Sequence, residues 1–296
     1  MTTLSRIITS RKSSRVRFSA KMAMKHIQQL FTEGVFCKPV CDIPSSVHLS
    51  RAVMHIAGSP NCSTLSPLEK QLVEHIGKPR HLVFVLADGL GSKLLEQRES
   101  GSFLRHFNKK NIQSVFPSTT AAALTSIATA SWPGEHAVTG WFAYLAEHNI
   151  PTQILMYQHR FSRKSLLELG IQPQMAFPVP SGFANVHRQF CMYQPKKIAG
   201  SVYSTFQSGS AENCFGYDSI ANAIDGISRV IKEDNGDTLQ YFYIPDVDVA
   251  AHVHGIRSEQ VNAAIDQVER AIFQLSQQLK GCDATIVIRY ASFMAI

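Results

Sequence analysis

No run of about 18 apolar residues occurs in the sequence, so it holds no candidate membrane-spanning helix. No apolar core follows the positive charges at its start, so a secretory signal is not expected. None of the cysteines, Cys37, Cys41, Cys62, Cys191, Cys214 and Cys282, forms a C-x-x-C pair, and a zinc-ribbon site goes with that absence. Without a secretory signal these are expected to be reduced thiols, some of them buried. Internal repeats are absent, and no low-complexity linker follows residue 25. Acid is missing from residues 1–25, which carry Arg6, Arg11, Lys12, Arg15, Arg17, Lys21 and Lys25. Removing those seven from the 29 Lys and Arg leaves 22, equal to the 22 Asp and Glu. The net charge of +7 therefore belongs to the tail, and the neutral body argues against a nucleic-acid partner. Residues 1–25 are expected to be a separate basic tail, either transit-like or an extension upstream of a start at Met22 or Met24. The corresponding locations are organellar or cytoplasmic.

What is present is an alternation of apolar runs and amphipathic stretches. Short helices are expected around 46–57 and 65–76. Leu82–Ala87 is a continuous apolar run closed by Asp88-Gly89, the pattern of a buried parallel strand. A helix begins at Ser92, a second strand is expected over Ile112–Phe116, and the Ala-rich Thr120–Ala130 forms a helix. Thr152–Tyr157 is a further strand candidate, and 158–217 is expected to be irregular. Ile220, Ile224, Ile227 and Ile231 stripe a helix over 218–234. After a strand at Leu239–Ile244, Val261, Ile265, Val268, Ile272, Leu275 and Leu279 mark the clearest helix, with Ser258 before it and Gly281 after. Ala284–Ile288 is the last strand. Strands alternating with helices predict an α/β fold, a mostly parallel central sheet flanked by helices. Ligands of such sheets bind at the carboxyl ends of the strands.

Three segments fall at those ends. Asp88 closes an apolar strand where a cation could hold it, although strand-ending Asp-Gly turns are common. Phe116-Pro117-Ser118-Thr119-Thr120 leads into a helix. A hydroxyl there is usually an N-cap, but the N–H groups and dipole of a helix start also favour a phosphoryl group. Tyr243-Ile244-Pro245-Asp246-Val247-Asp248-Val249-Ala250-Ala251-His252-Val253-His254-Gly255 carries two acids and two histidines, a mixture that suits hard and borderline cations or else a plain polar loop.

In this order the three segments resemble the type I phosphodiesterase/nucleotide pyrophosphatase family over roughly 81–288. The resemblance implies an alkaline-phosphatase-like sandwich and makes 26–296 one catalytic domain. It also implies two adjacent divalent metals, usually zinc, and a small-molecule phosphate ester as substrate. Asp88 matches a ligand of one metal, Thr120 the nucleophile that also touches it, and Asp248 and His252 two ligands of the other. The implied reaction passes through a phosphothreonine, with one metal lowering the pKa of Thr120 and the other taking up charge on the leaving oxygen. This sequence departs from the family twice. Ala123 stands where some nucleotide pyrophosphatases carry an Asn. The Thr-x-Asp-His-Gly segment expected after Ile288 is replaced by Arg289-Tyr290-Ala291-Ser292, and no Asp-His pair follows residue 255. Each metal then keeps about half its ligands, the expectation for a truncated member. The alternatives are an inactive homologue that binds a partner, and a sulfatase or mutase relative. The sulfatase lacks its Cys/Ser-x-Pro-x-Arg segment here.

Overall fold

The computed structural model describes residues 22, 24–33, 35, 40–108, 110–233 and 236–291. The chain divides into two compact units, Met1–Cys41 and Asp42–Ile296. In the first, residues 24–32 are helical, and the basic tail 1–25 lies almost wholly outside the described residues. Among the described residues no helix is long and apolar enough to cross a membrane.

The second unit carries strands β1 (His81–Asp88), β2 (Phe142–Leu145), β3 (Ile150–Gln153), β4 (Gln158–His159), β5 (Gln189–Pro195), β6 (Cys214–Tyr217), β7 (Thr238–Ile244) and β8 (Ala284–Ala291). Its helices are α1 (Ser46–Ile56), α2 (Pro67–Ile76), α3 (Ser92–Glu96), α4 (Phe103–Phe107), α5 (Thr120–Thr129), α6 (Pro133–His136), α7 (Pro173–Ala176), α8 (Val202–Ser208), α9 (Ile220–Glu233), α10 (Asp246–His254) and α11 (Glu259–Gln278). Five strands form the central sheet in the order β6-β5-β7-β1-β8. Every pairing in it is parallel.

Alternation along the strands builds two cores. Leu82, Phe84 and Leu86 of β1 join Leu239, Tyr241 and Tyr243 of β7 on one face, under α1, α2 and α5. Val83, Val85 and Ala87 join Phe242 and Ile244 on the other, under α9, α10 and α11. The isoleucine stripe of α9 and the heptad-like stripe of α11 are buried as their spacing requires. Each fully buried Ile or Val contributes roughly 1.5–3 kcal/mol of transfer free energy. Ser258 caps α11, its side chain accepting from Val261 N–H, and Ser219 Oγ accepts from Asn222 N–H at the start of α9.

Three expectations need correction. Ile112–Phe116 is no strand: its pairing is a lone bridge from Gln113 to Ser45, because its backbone bonds go to the loop that enters α1. Of Thr152–Tyr157 only Thr152 and Gln153 are extended. They belong to a small antiparallel sheet in the order β2-β3-β4, and the chain then turns with Tyr157 at φ 50°. Residues 158–217 are not irregular throughout, since they supply β5 and the edge strand β6. β5 holds only four apolar residues between Gln189 and Gln194, and β6 contains Gly216, so neither gave a clear period.

Candidate active site at the carboxyl ends of β1 and β7

Asp88 is the last residue of β1 and is 0% exposed. Its Oδ1 accepts from Gly89 N–H at 2.9 Å, and its Oδ2 accepts from the Tyr243 hydroxyl at 2.8 Å. Burial, and then the neighbouring Asp248 carboxylate, push its pKa from 3.8 up to about 7, against the pull of those two hydrogen bonds and of the Arg289 guanidinium. Gly89 makes the approach possible. It sits at φ 78°, and a Cβ there would lie 2.3 Å from the Asp248 backbone nitrogen. The Asp-Gly turn therefore lies directly against the start of α10.

The third segment is no loop. It is the helix α10, which sets Asp248 and His252 one turn apart on one side. The Asp248 side chain is 14% exposed, that of His252 62%, and Asp248 Oδ2 lies 3.5 Å from His252 Nε2. Asp248 Oδ1 is buried with no hydrogen-bond partner. Burial raises the Asp248 pKa, and His252 opposes it. Asp88, Asp248 and His252 thus come together, through one buried turn.

Thr120 opens α5, whose alanines pack on the same sheet face as Leu86 and Tyr243. The cap of that helix is Thr119: its side chain accepts from Ala122 N–H. Thr120 is half-buried at the first helical position, so its hydroxyl is not the one used by the cap. Ala123 is wholly buried in the core and brings no polar group.

A second arrangement looks catalytic and is structural. Ser126 Oγ and His136 Nε2 are 2.8 Å apart, but His136 Nδ1 accepts from Val138 N–H. The ring proton therefore sits on Nε2 and points at the serine, so the imidazole takes no proton from it. Burial lowers its pKa to about 4.

Asp88, Asp248 and His252 do not by themselves form a three-residue metal-binding group. Among the described residues no group of three His, Cys, Asp or Glu could hold a metal ion. Asp246 and His254 do not complete a set with Asp248 and His252. The unpartnered Asp248 Oδ1 beside His252 is what remains of a donor pair. Tyr243 and Arg289 were not singled out from the sequence. The strand-end position of Tyr243 in the third segment was the available signal, whereas Arg289 gave none.

The parallel α/β sheet thus ends β1 in a buried carboxylate, and Thr120 opens a helix that packs on the same sheet face. The chain belongs to the type I phosphodiesterase / nucleotide pyrophosphatase family, whose sequence pattern matches residues 82–288. Family and fold are those of nucleotide pyrophosphatase/phosphodiesterase enzymes. Among solved structures, the fold is similar to murine ectonucleotide pyrophosphatase/phosphodiesterase 5, in an inactive threonine-to-alanine form in complex with AMP. The TM-score is 0.52 at 13% identity, over 70% of this chain and 55% of that one, so the chain spans little more than half of that protein. No curated protein sequence matches.

Proposed function

We propose that the site at the carboxyl ends of β1 and β7 handles phosphate esters, and that Thr120 is the group that meets phosphorus. The division of labour at the start of α5 carries this reading: Thr119 caps the helix and leaves the Thr120 hydroxyl for other work. A phosphoryl group at that end would meet backbone N–H groups and the positive end of the helix dipole. Attack by Thr120 Oγ1 forms a phosphothreonine and releases an alcohol, and water then cleaves the phosphothreonine. The AMP bound to the murine relative supports a nucleotide-like ester as the substrate class. Divalent ions, zinc first, are the cofactors the family implies; when bound they lower the pKa of such a hydroxyl. Among the described residues the donors fall short of a three-ligand site, so weak zinc retention and slow turnover are expected.

That shortfall favours a second reading, a protein that binds phosphate esters without turning them over. Trapping of phosphoenzyme from an aryl phosphodiester, with AMP binding measured in parallel, separates the two. Thr120→Ala should abolish the phosphoenzyme while Thr119→Ala keeps it. Full labelling of Thr120→Ala would remove Thr120 from its role. AMP binding with no labelling of any variant would favour the binding protein.

A further inference from the structure

The small sheet β2-β3-β4 carries an aromatic and cationic face outside the site described above. Along β2, Ala143 and Leu145 pack against the core, so Phe142 and Tyr144 alternate onto the other face and are exposed. β3 pairs with β2, and β4 pairs with β3. After β4 the chain turns through 160–163, closed by His159 N–H donating to the Lys164 carbonyl at 2.8 Å and Arg163 N–H donating to the His159 carbonyl at 3.1 Å. Ser162 N–H also donates to His159 Nδ1 at 3.0 Å, which fixes the tip. At that tip Phe161 is 72% exposed. The Arg160 guanidinium lies over the Phe142 ring, 4.3 Å from its centroid, and 5.4 Å from that of Phe161. Arg163 donates to Gln153 Oε1. No acid occurs between Glu147 and Glu168. Among the described residues none of Arg160, Arg163 and Lys164 is paired with a carboxylate.

We propose that this face docks on the surface of an anionic lipid bilayer, Phe161 entering the boundary between headgroups and acyl chains while Arg160, Arg163 and Lys164 meet lipid phosphates. The chain then lies on a membrane and does not span it. Charge complementarity selects this occupant. Outside residues 1–25 the 22 Lys and Arg are offset by 22 Asp and Glu, so three unpaired cations in one acid-free hairpin are a local excess. An exposed ring at a fixed tip, with arginine and lysine stems beside it, matches a water–lipid boundary: the ring buries while the cationic heads stay in the headgroup layer. Other partners fit less well. Single-stranded nucleic acid stacks its bases on open aromatic faces, and Arg160 already lies over Phe142 and beside Phe161. The centre of a protein–protein interface is depleted in charge, whereas here the cations stand beside the most exposed ring.

Cosedimentation of the 296-residue chain with phosphatidylcholine vesicles, with and without a quarter of phosphatidylserine, tests the proposal. The chain should bind the anionic vesicles and largely ignore the neutral ones. Phe161→Ser should weaken binding on the order of tenfold. Arg163→Gln/Lys164→Gln should weaken it about fivefold for each charge removed. These side chains are exposed, so the variants should fold, and circular dichroism checks that they do. The basic residues 1–25 can hold the chain on anionic lipid by charge alone, so insertion is read directly as well. Phe161→Trp should bind like the wild type, and brominated acyl chains should quench its added indole beyond any quenching of Trp132 and Trp141 in the wild type. Equal binding to neutral vesicles, binding of Phe161→Ser equal to the wild type, or no added quenching in Phe161→Trp overturns the proposal. So does binding to oligothymidylate that Phe161→Ser abolishes while vesicles are ignored, which assigns the face to nucleic acid.

Discussion

At the residue scale, neighbouring positions have opposite duties. Thr119 caps the helix and the half-buried Thr120 takes no part in the cap, so the two alanine variants should separate stability from chemistry. Thr119→Ala should cost about 1 kcal/mol, the usual worth of an N-cap, in denaturant unfolding. Thr120→Ala should cost little there and remove the phosphoenzyme. Gly89 is a second such position. An alanine at φ 78° is strained, and its Cβ would meet the Asp248 nitrogen at 2.3 Å, so α10 must move away from β1. Gly89→Ala should destabilise by roughly 1–3 kcal/mol, with a lower midpoint in thermal unfolding. An unchanged midpoint would mean that the turn is not packed against the helix. His136 makes stability depend on pH. The unfolded chain binds its proton near 6.5, whereas burial holds the folded pKa near 4. Between those values the unfolded state carries more protons, so stability falls as the solution is acidified. The loss should reach about 2–3 kcal/mol by pH 4. His136→Gln should flatten that part of the stability-against-pH curve, and an unaltered slope would clear His136 of the effect.

At the element scale, periodicity decided most of what was legible. The stripes of α9 and α11, and the apolar run of β1, are local patterns that burial merely used. β5 and β6 escaped because a short apolar run between glutamines is indistinguishable from loop sequence until a neighbouring strand pairs with it. Ile112–Phe116 failed in the other direction. Its composition suits a strand, but its hydrogen bonds were taken by the entry to α1. β8 carries a consequence of its own. It pairs with β1 along one side and forms the edge of the sheet, beside a groove of about 950 Å³. The groove is lined by Ile286, Val287 and Ile288 together with Ile112, Phe107 and Ile272. An unprotected apolar edge is a template for further pairing. The purified chain should therefore self-associate as concentration rises, and multi-angle light scattering should show the mass increasing. A constant monomer mass across the series would mean that the edge is silent.

At the scale of the whole molecule, the sequence by itself determined the class. An apolar strand ending in Asp88-Gly89, a hydroxyl pair opening a small-residue helix, and Asp248 and His252 four residues apart after another strand are all contiguous patterns. Parallel-sheet topology then carries the first and third to the carboxyl edge. The sequence also determined that no Asp-His pair follows residue 255, although the reason this matters is three-dimensional. Tertiary structure alone decided which threonine is spent on the cap, since a one-residue shift of the helix start exchanges Thr119 and Thr120 and propensity does not resolve it. Tertiary structure likewise brought Tyr243 to Asp88, pressed Gly89 against Asp248, and set Arg289 beside Leu86 on the face of the site. Those contacts join residues more than 150 positions apart. Their electrostatic worth comes from shared burial, a low-dielectric setting that no local stretch of chain can create.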